Sequence, residues 1–342
     1  MNSFVYSDCT TVDAALSHLQ GQAVVKAGGI DLLDLMKSGV AEPPKLVNIH
    51  NIAALKGIHE TKEGVTLGPL VTLAEISEHP LLRKDYTVLA DTAGHAATPQ
   101  IRNAATLGGN LAQKVRCWYY RSADFKCLAK GGDTCFALDG LNQYHSIFDT
   151  SVRAYVAPSS TAVALNALNA SLELTSSKGK RVVAVRDFYV KPDEKHPEVE
   201  NVLAPGELIT AVMIPKPAPG TRSAYQKYGE KNSYDWAIAD AAVVLEMQGD
   251  VCRKATIVMG AASPTPRLAA EAAALLVGKP ITEETARAAG TAAMKGAHPL
   301  SMNGYKVQLF PVAIYRTILL AAGKMGPDPS AVGSGNPEMV AG

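Results

Sequence analysis

The chain has 342 residues, 47% of them hydrophobic and 19% charged, with a formal net charge of +1. That is ample apolar material for two buried cores, and the charge balance points away from nucleic acid or a membrane surface as partner. No apolar run is long enough to span a bilayer. The first residues lack the basic-then-apolar pattern of a signal peptide, and five cysteines, an odd number, fit a reducing compartment and metal ligation better than a disulfide framework. Together these features predict a cytoplasmic protein.

In the first half, short apolar strands alternate with short helices. Thr11 to Leu19 reads as a helix capped by Thr10 or Thr11, with Val12, Ala15, Leu16 and Leu19 on one face. Ala23 to Lys26 reads as a buried strand, broken by Gly28-Gly29, and a helix resumes from Asp31 to Ser38. Lys45 to Ile49 and Gly64 to Leu67 read as strands and Leu73 to Glu78 as a helix, an alternation that predicts α/β architecture. Residues 114–150 break the rhythm, with little periodicity and glycines at 131, 132 and 140, and read as an inserted functional loop. Beyond it, Thr161 to Leu168 reads as a helix, and Ser171 to Thr175 with Arg181 to Val185 as a hairpin turning at Lys178-Gly179.

Three prolines and a glycine in Pro215 to Gly220 predict a domain boundary, since they continue neither a helix nor a central strand. Ala241 to Met247 and Val251 to Met259 then form a hairpin around Gly249-Asp250, followed by helical stretches at 267–277, 282–295 and 304–322, an α+β order. The predicted domains are 1–215, with subdomains of about 1–57 and 58–215, and 222–325, with a flexible tail over 326–342.

Two glycine loops carry the chemistry. Lys26-Ala27-Gly28-Gly29-Ile30-Asp31-Leu32-Leu33 follows a strand and opens a helix, so its amides and helix start suit an anionic pyrophosphate. Thr106-Leu107-Gly108-Gly109-Asn110 has the same logic, with Thr106 and Asn110 as added hydrogen-bonding groups. Each pair alone is also compatible with an ordinary tight turn, and neither matches G-x-G-x-x-G or the P-loop.

These loops, the Gln100-Ile101-Arg102-Asn103 run before the second, and the downstream segments Pro205-Gly206-Glu207-Leu208-Ile209, Tyr225-Gln226-Lys227 and Gly260 to Arg267 resemble the flavoprotein subunits of the xanthine dehydrogenase and carbon monoxide dehydrogenase family, over nearly the whole chain to about residue 325. The resemblance implies a two-subdomain FAD-binding domain followed by a smaller C-terminal domain. Lys227 would lie near the flavin, and Arg116 and Ser160 would join the two loops in binding it. Asp31 would cap its helix and bound the first loop. Partners would be a molybdopterin-binding large subunit and a 2Fe-2S small subunit, with this chain relaying electrons to an external acceptor.

Cys117, Cys127 and Cys135 fall inside the inserted loop, separated by nine and seven residues. Iron–sulfur clusters are held by cysteine thiolates, usually four, whereas zinc prefers tighter cysteine pairs; three unrelated packed thiols are the plain alternative. The loop resembles that of the periplasmic-type aldehyde oxidoreductase and 4-hydroxybenzoyl-CoA reductase flavin subunits, which implies a 4Fe-4S cluster close to FAD and leaves export with a partner open as an alternative location. The subgroup's fourth cysteine, which precedes a His-Pro-Ser-Asp run, falls here near Arg153, the histidine on Ala157 and the aspartate on Ser160. Asp149 or His145 completing a cluster, a three-cysteine cluster with one iron fewer, and loss of the cluster are the three outcomes. A stand-alone FAD oxidase and a flavin-free metal-binding scaffold are the alternative functions.

Overall fold

The computed structural model describes residues 1–231 and 233–327; the expected tail, from residue 328 on, lies outside the described residues. The chain opens with β1 (Val5–Asp8), α1 (Val12–His18), β2 (Ala23–Lys26), α2 (Ile30–Lys37) and β3 (Lys45–Asn48). Thr11 caps α1 by accepting the Ala14 amide, as its short hydroxyl side chain favours. The three strands form a parallel sheet in the order β1-β3-β2.

The next strands, β4 (Ile58–Glu60) and β5 (Gly64–Leu67), start a second sheet, followed by the helices α3 (Leu73–Glu78), α4 (Pro80–Asp85), α5 (Thr87–Gly94), α6 (Pro99–Arg102) and α7 (Leu107–Leu111). Residues 114–150 are mostly irregular, with one helical turn, α8 (Trp118–Arg121). Then come α9 (Ser160–Ala167), β6 (Ser171–Ser176), β7 (Gly179–Ala184), α10 (Val185–Phe188) and β8 (Leu208–Pro215). The second sheet is antiparallel in the order β4-β5-β8-β6-β7. Strand–helix alternation therefore corresponds to a parallel sheet only up to Asn48; β5 pairs with β8, far along the chain, a choice that local periodicity does not encode.

The C-terminal part contains β9 (Thr221–Tyr228), β10 (Ala239–Gln248), β11 (Val251–Gly260), β12 (Arg267–Leu268), α11 (Ala270–Ala274), α12 (Glu283–Ala292) and α13 (Lys306–Ala321). Its antiparallel sheet runs β12-β11-β10-β9. The helix expected over 267–277 is shorter, because Arg267 and Leu268 pair with Met259 and Val258 before the helix begins. Ile147 and Phe148, from the end of the inserted loop, are buried in the same core as β10, β11 and α13. The loop is thus anchored in the C-terminal core at one end.

Candidate functional site

A cavity of about 840 Å³ opens where the first glycine loop, the second glycine loop and the β9–β10 connection meet. Ala27, Gly28, Gly29, Ile30, Asp31 and Leu32 line it from the first loop. Gly29 sits at φ +80, the left-handed region, and offers α2 no side-chain cap, so the helix start is left to a guest. Gly28 has a different reason to be glycine: a Cβ there would lie 1.9 Å from the Ala104 carbonyl oxygen. The two loops touch at that point, and close backbone approach sets their spacing.

The second loop contributes Thr106, Gly108, Gly109 and Asn110. Thr106 caps α7, accepting the Gly109 amide at 3.2 Å. The Asn110 carboxamide oxygen accepts from Ser159 at 2.7 Å and Thr161 at 2.6 Å, tying the loop to α9, whose first residue Ser160 also lines the cavity. Lys26 and Leu33 are not on the wall: Lys26 donates to the Asn48 side chain at 3.2 Å, and Leu33 packs beneath Gly29.

Asp31 differs from its expected role. The N-cap of α2 is Gly29, and Asp31 instead clamps the start of the inserted loop. Its carboxylate accepts from the Lys114 amide at 2.8 Å, from Arg116 at 2.9 Å and from Arg121 at 2.6 Å. Arg116 lies over the Trp236 ring at 4.0 Å, and burial, opposed by Asp31, lowers its pKa to about 10. Lys227 is 3% exposed, which a solvated lysine would not be. Its ammonium donates to the carbonyls of His95 at 2.9 Å and Asp235 at 2.8 Å, and burial pulls its pKa down despite Asp240 and Asp235 nearby. Burial, reinforced by Lys227, also lowers the His95 pKa to about 4, so the imidazole stays neutral at pH 7. Sequence reasoning missed Tyr234, Asp235 and Trp236 on the wall; the irregular stretch between β9 and β10 carries no periodicity or motif that marks it.

Cys117, Cys127 and Cys135 come together on a second, much smaller cavity of about 20 Å³. Arg153 and Tyr155 line the same cavity. The Cys117 sulfur lies 3.2 Å from His145 Nε2, and burial pushes the Cys117 thiol up to about 11. Among the described residues no group of three or more His, Cys, Asp or Glu side chains is arranged to hold a metal ion, and no helix is long and apolar enough to cross a membrane.

The family profile described as the FAD binding domain in molybdopterin dehydrogenase matches residues 2–217, and the CO dehydrogenase flavoprotein C-terminal domain matches residues 223–321. The aldehyde oxidoreductase FAD-binding subunit PaoB of Escherichia coli is 33% identical over 316 residues, covering 90% of this chain and 95% of the relative. The carbon monoxide dehydrogenase medium chain of Afipia carboxidovorans is 32% identical over 265 residues, covering 78% of this chain and 75% of the relative. Among solved structures, a chain of reconstituted CO dehydrogenase from Oligotropha carboxidovorans superposes with a TM-score of 0.75 at 27% identity, covering 95% of this chain and 99% of its own. The residues lining the large cavity fit an elongated anionic dinucleotide, and the matched profiles name it as FAD: the chain belongs to the family of FAD-binding medium subunits of molybdenum hydroxylases and CO dehydrogenases.

Proposed function

We propose that this chain is the flavin relay of a three-subunit molybdenum hydroxylase of the aldehyde-oxidising kind. It would receive electrons from a 2Fe-2S small subunit after substrate oxidation in a molybdopterin-binding large subunit. The observation that carries the reading is the cavity itself, about 840 Å³ and walled by both glycine loops and by Lys227, together with the full-length similarity to an aldehyde oxidoreductase FAD-binding subunit. Bound FAD supplies the exchange between paired and single electrons; the protein supplies position and electrostatics. The α2 amino terminus and Gly29 hold the pyrophosphate. Lys227, fixed by two carbonyls, presents a buried positive charge to that wall.

A stand-alone oxidase would need a base free to take a proton from its own substrate. Three of the four acidic groups on the wall are held by arginines, Asp31 by Arg116 and Arg121, Asp34 by Arg121 and Glu207 by Arg181 at 2.7 Å, and the fourth, Asp235, accepts from the Lys231 amide at 2.9 Å. The iron–sulfur cluster expected in the 114–150 loop is left out of this reading, because the donors around the three cysteines do not complete one. To test the relay, the chain is purified with its partner subunits and reduced anaerobically with an aromatic or aliphatic aldehyde. Flavin bleaching in the complex, with none in the isolated chain, is expected; bleaching by aldehyde in the isolated chain would mark an oxidase instead.

A further inference from the structure

We infer that the 114–150 loop of this chain holds no iron–sulfur cluster and is fastened by protein contacts, with the Arg153–Glu200 ion pair standing where a fourth cluster ligand would be. Cys117, Cys127 and Cys135 do converge on one cavity. Besides the three thiols its lining offers iron no further thiolate; Arg153 and Tyr155 stand beside them. A four-iron cluster takes four thiolates, and Arg153, on the same wall as the three cysteines, has a guanidinium with only donors and no lone pair to offer iron.

Arg153 is 4% exposed and its charge is already answered within the protein. One nitrogen lies 3.4 Å from Glu200, another donates to the Pro197 carbonyl, and the group stacks on Tyr155 at 4.4 Å. A buried cation persists only with such a partner, so the pair is a built feature that leaves that wall without a ligand. Asp149 is engaged elsewhere, pairing with Lys191 at 2.9 Å and Arg267 at 3.9 Å. His145 is off the cavity wall, and its Nε2 is taken up by the Cys117 sulfur at 3.2 Å. Cys9 and Cys252 belong to two other cores.

What a cluster would otherwise do for the loop, side chains do here. Arg121 ties it to Asp31 and Asp34 on α2. Tyr119, Phe125 and Phe136 form a ring cluster with centroids 5.0 to 5.8 Å apart. Lys130 donates to the carbonyls of Tyr119 and Ser122. Electrons would then cross this subunit through the flavin alone.

Iron and acid-labile sulfide are counted per flavin in the full chain expressed alone and purified anaerobically. Flavin with only traces of iron is expected; three or four iron atoms per flavin would overturn the inference. In the complex with its partners, replacing Cys117, Cys127 and Cys135 together by serine should leave the iron-to-flavin ratio and the low-temperature EPR spectrum of the reduced protein unchanged. A loss of iron and of one cluster signal would overturn it equally. The role given to Arg153 has its own test, the paired variant Arg153→Cys with Glu200→Gln, whose neutral partner avoids a stranded charge. This variant should gain iron and sulfide; a flavin-loaded variant that stays iron-free would sink the assignment of Arg153.

Discussion

At Gly28 a single methyl group would meet the Ala104 carbonyl oxygen at 1.9 Å, well inside van der Waals contact. That carbonyl belongs to the backbone leading into the second loop, so relief requires the two loops to part. Gly28→Ala should cost about 1–3 kcal/mol, the usual range for overpacking a tight site, and should lower bound flavin more than it lowers stability. Flavin-to-protein ratio and thermal midpoint, measured together, separate the two effects; an unchanged flavin ratio would contradict the role given to the contact. The motif was legible in the sequence, yet the reason for its first glycine was not. A glycine read along the chain suggests backbone freedom, while a clash with a residue 76 positions away exists only after folding.

Among the elements, the tie between α2 and the inserted loop governs how the cysteine segment meets the flavin wall. Arg121 donates to Asp31 at 2.6 Å, to Asp34 at 3.1 Å, and to the carbonyls of Val115 and Lys114. Hydrogen bonds to charged groups are worth about 1.5–3 kcal/mol each in the half-buried setting, less where water screens them. Arg121→Met should therefore destabilise the protein by about 2 kcal/mol and increase proteolytic cutting between residues 114 and 135; denaturant melts and limited proteolysis check both. At the far end of the loop, Lys306 at the start of α13 donates to the carbonyls of Tyr144, His145 and Ala261. Lys306→Met would orphan the Tyr144 and Ala261 carbonyls, at about 1–3 kcal/mol apiece before relaxation, while the His145 carbonyl keeps the Asn303 side-chain amide as donor. The expected result is a lower thermal midpoint with residues 142–148 newly accessible to hydrogen exchange. The loop was legible from its broken periodicity, but its anchors were not, because Asp31 and Lys306 lie far from it in sequence and look like surface charges there.

For the whole molecule, buried titratable groups pull acid stability in opposite directions. Burial drives the Asp240 and Asp91 carboxyls up to about 6 and the His95 and His145 imidazoles down to about 4. Between about 4 and 6 the folded state holds carboxyl protons that the unfolded chain has released, so this contribution weakens as pH rises. Between about 4 and 6.5 the unfolded chain takes up histidine protons that the folded state refuses, so that contribution strengthens as pH rises. Asp240→Asn removes one carboxyl and leaves both histidines. Its thermal midpoint should fall more steeply on acidification from pH 6.5 to 4 than the parent's; parallel profiles would refute the assignment to Asp240.

The order of strands and helices, the two glycine loops and the clustering of three cysteines follow from local chemistry, because periodicity, turn residues and spacing are written along the chain. What faces what required the fold. Burial turned Lys227 from a plausible surface lysine into a fixed donor on the cavity wall, and moved Asp31 from helix cap to loop clamp. The same step brought the cysteines together and set Arg153 beside them. A side chain's partners are chosen by tertiary packing in a low-dielectric interior, where an unpaired charge is costly. The flavin site and the arginine near the fourth place were therefore within reach of the sequence, while the carboxylate 47 residues further on that pairs with Arg153 was chosen by the fold.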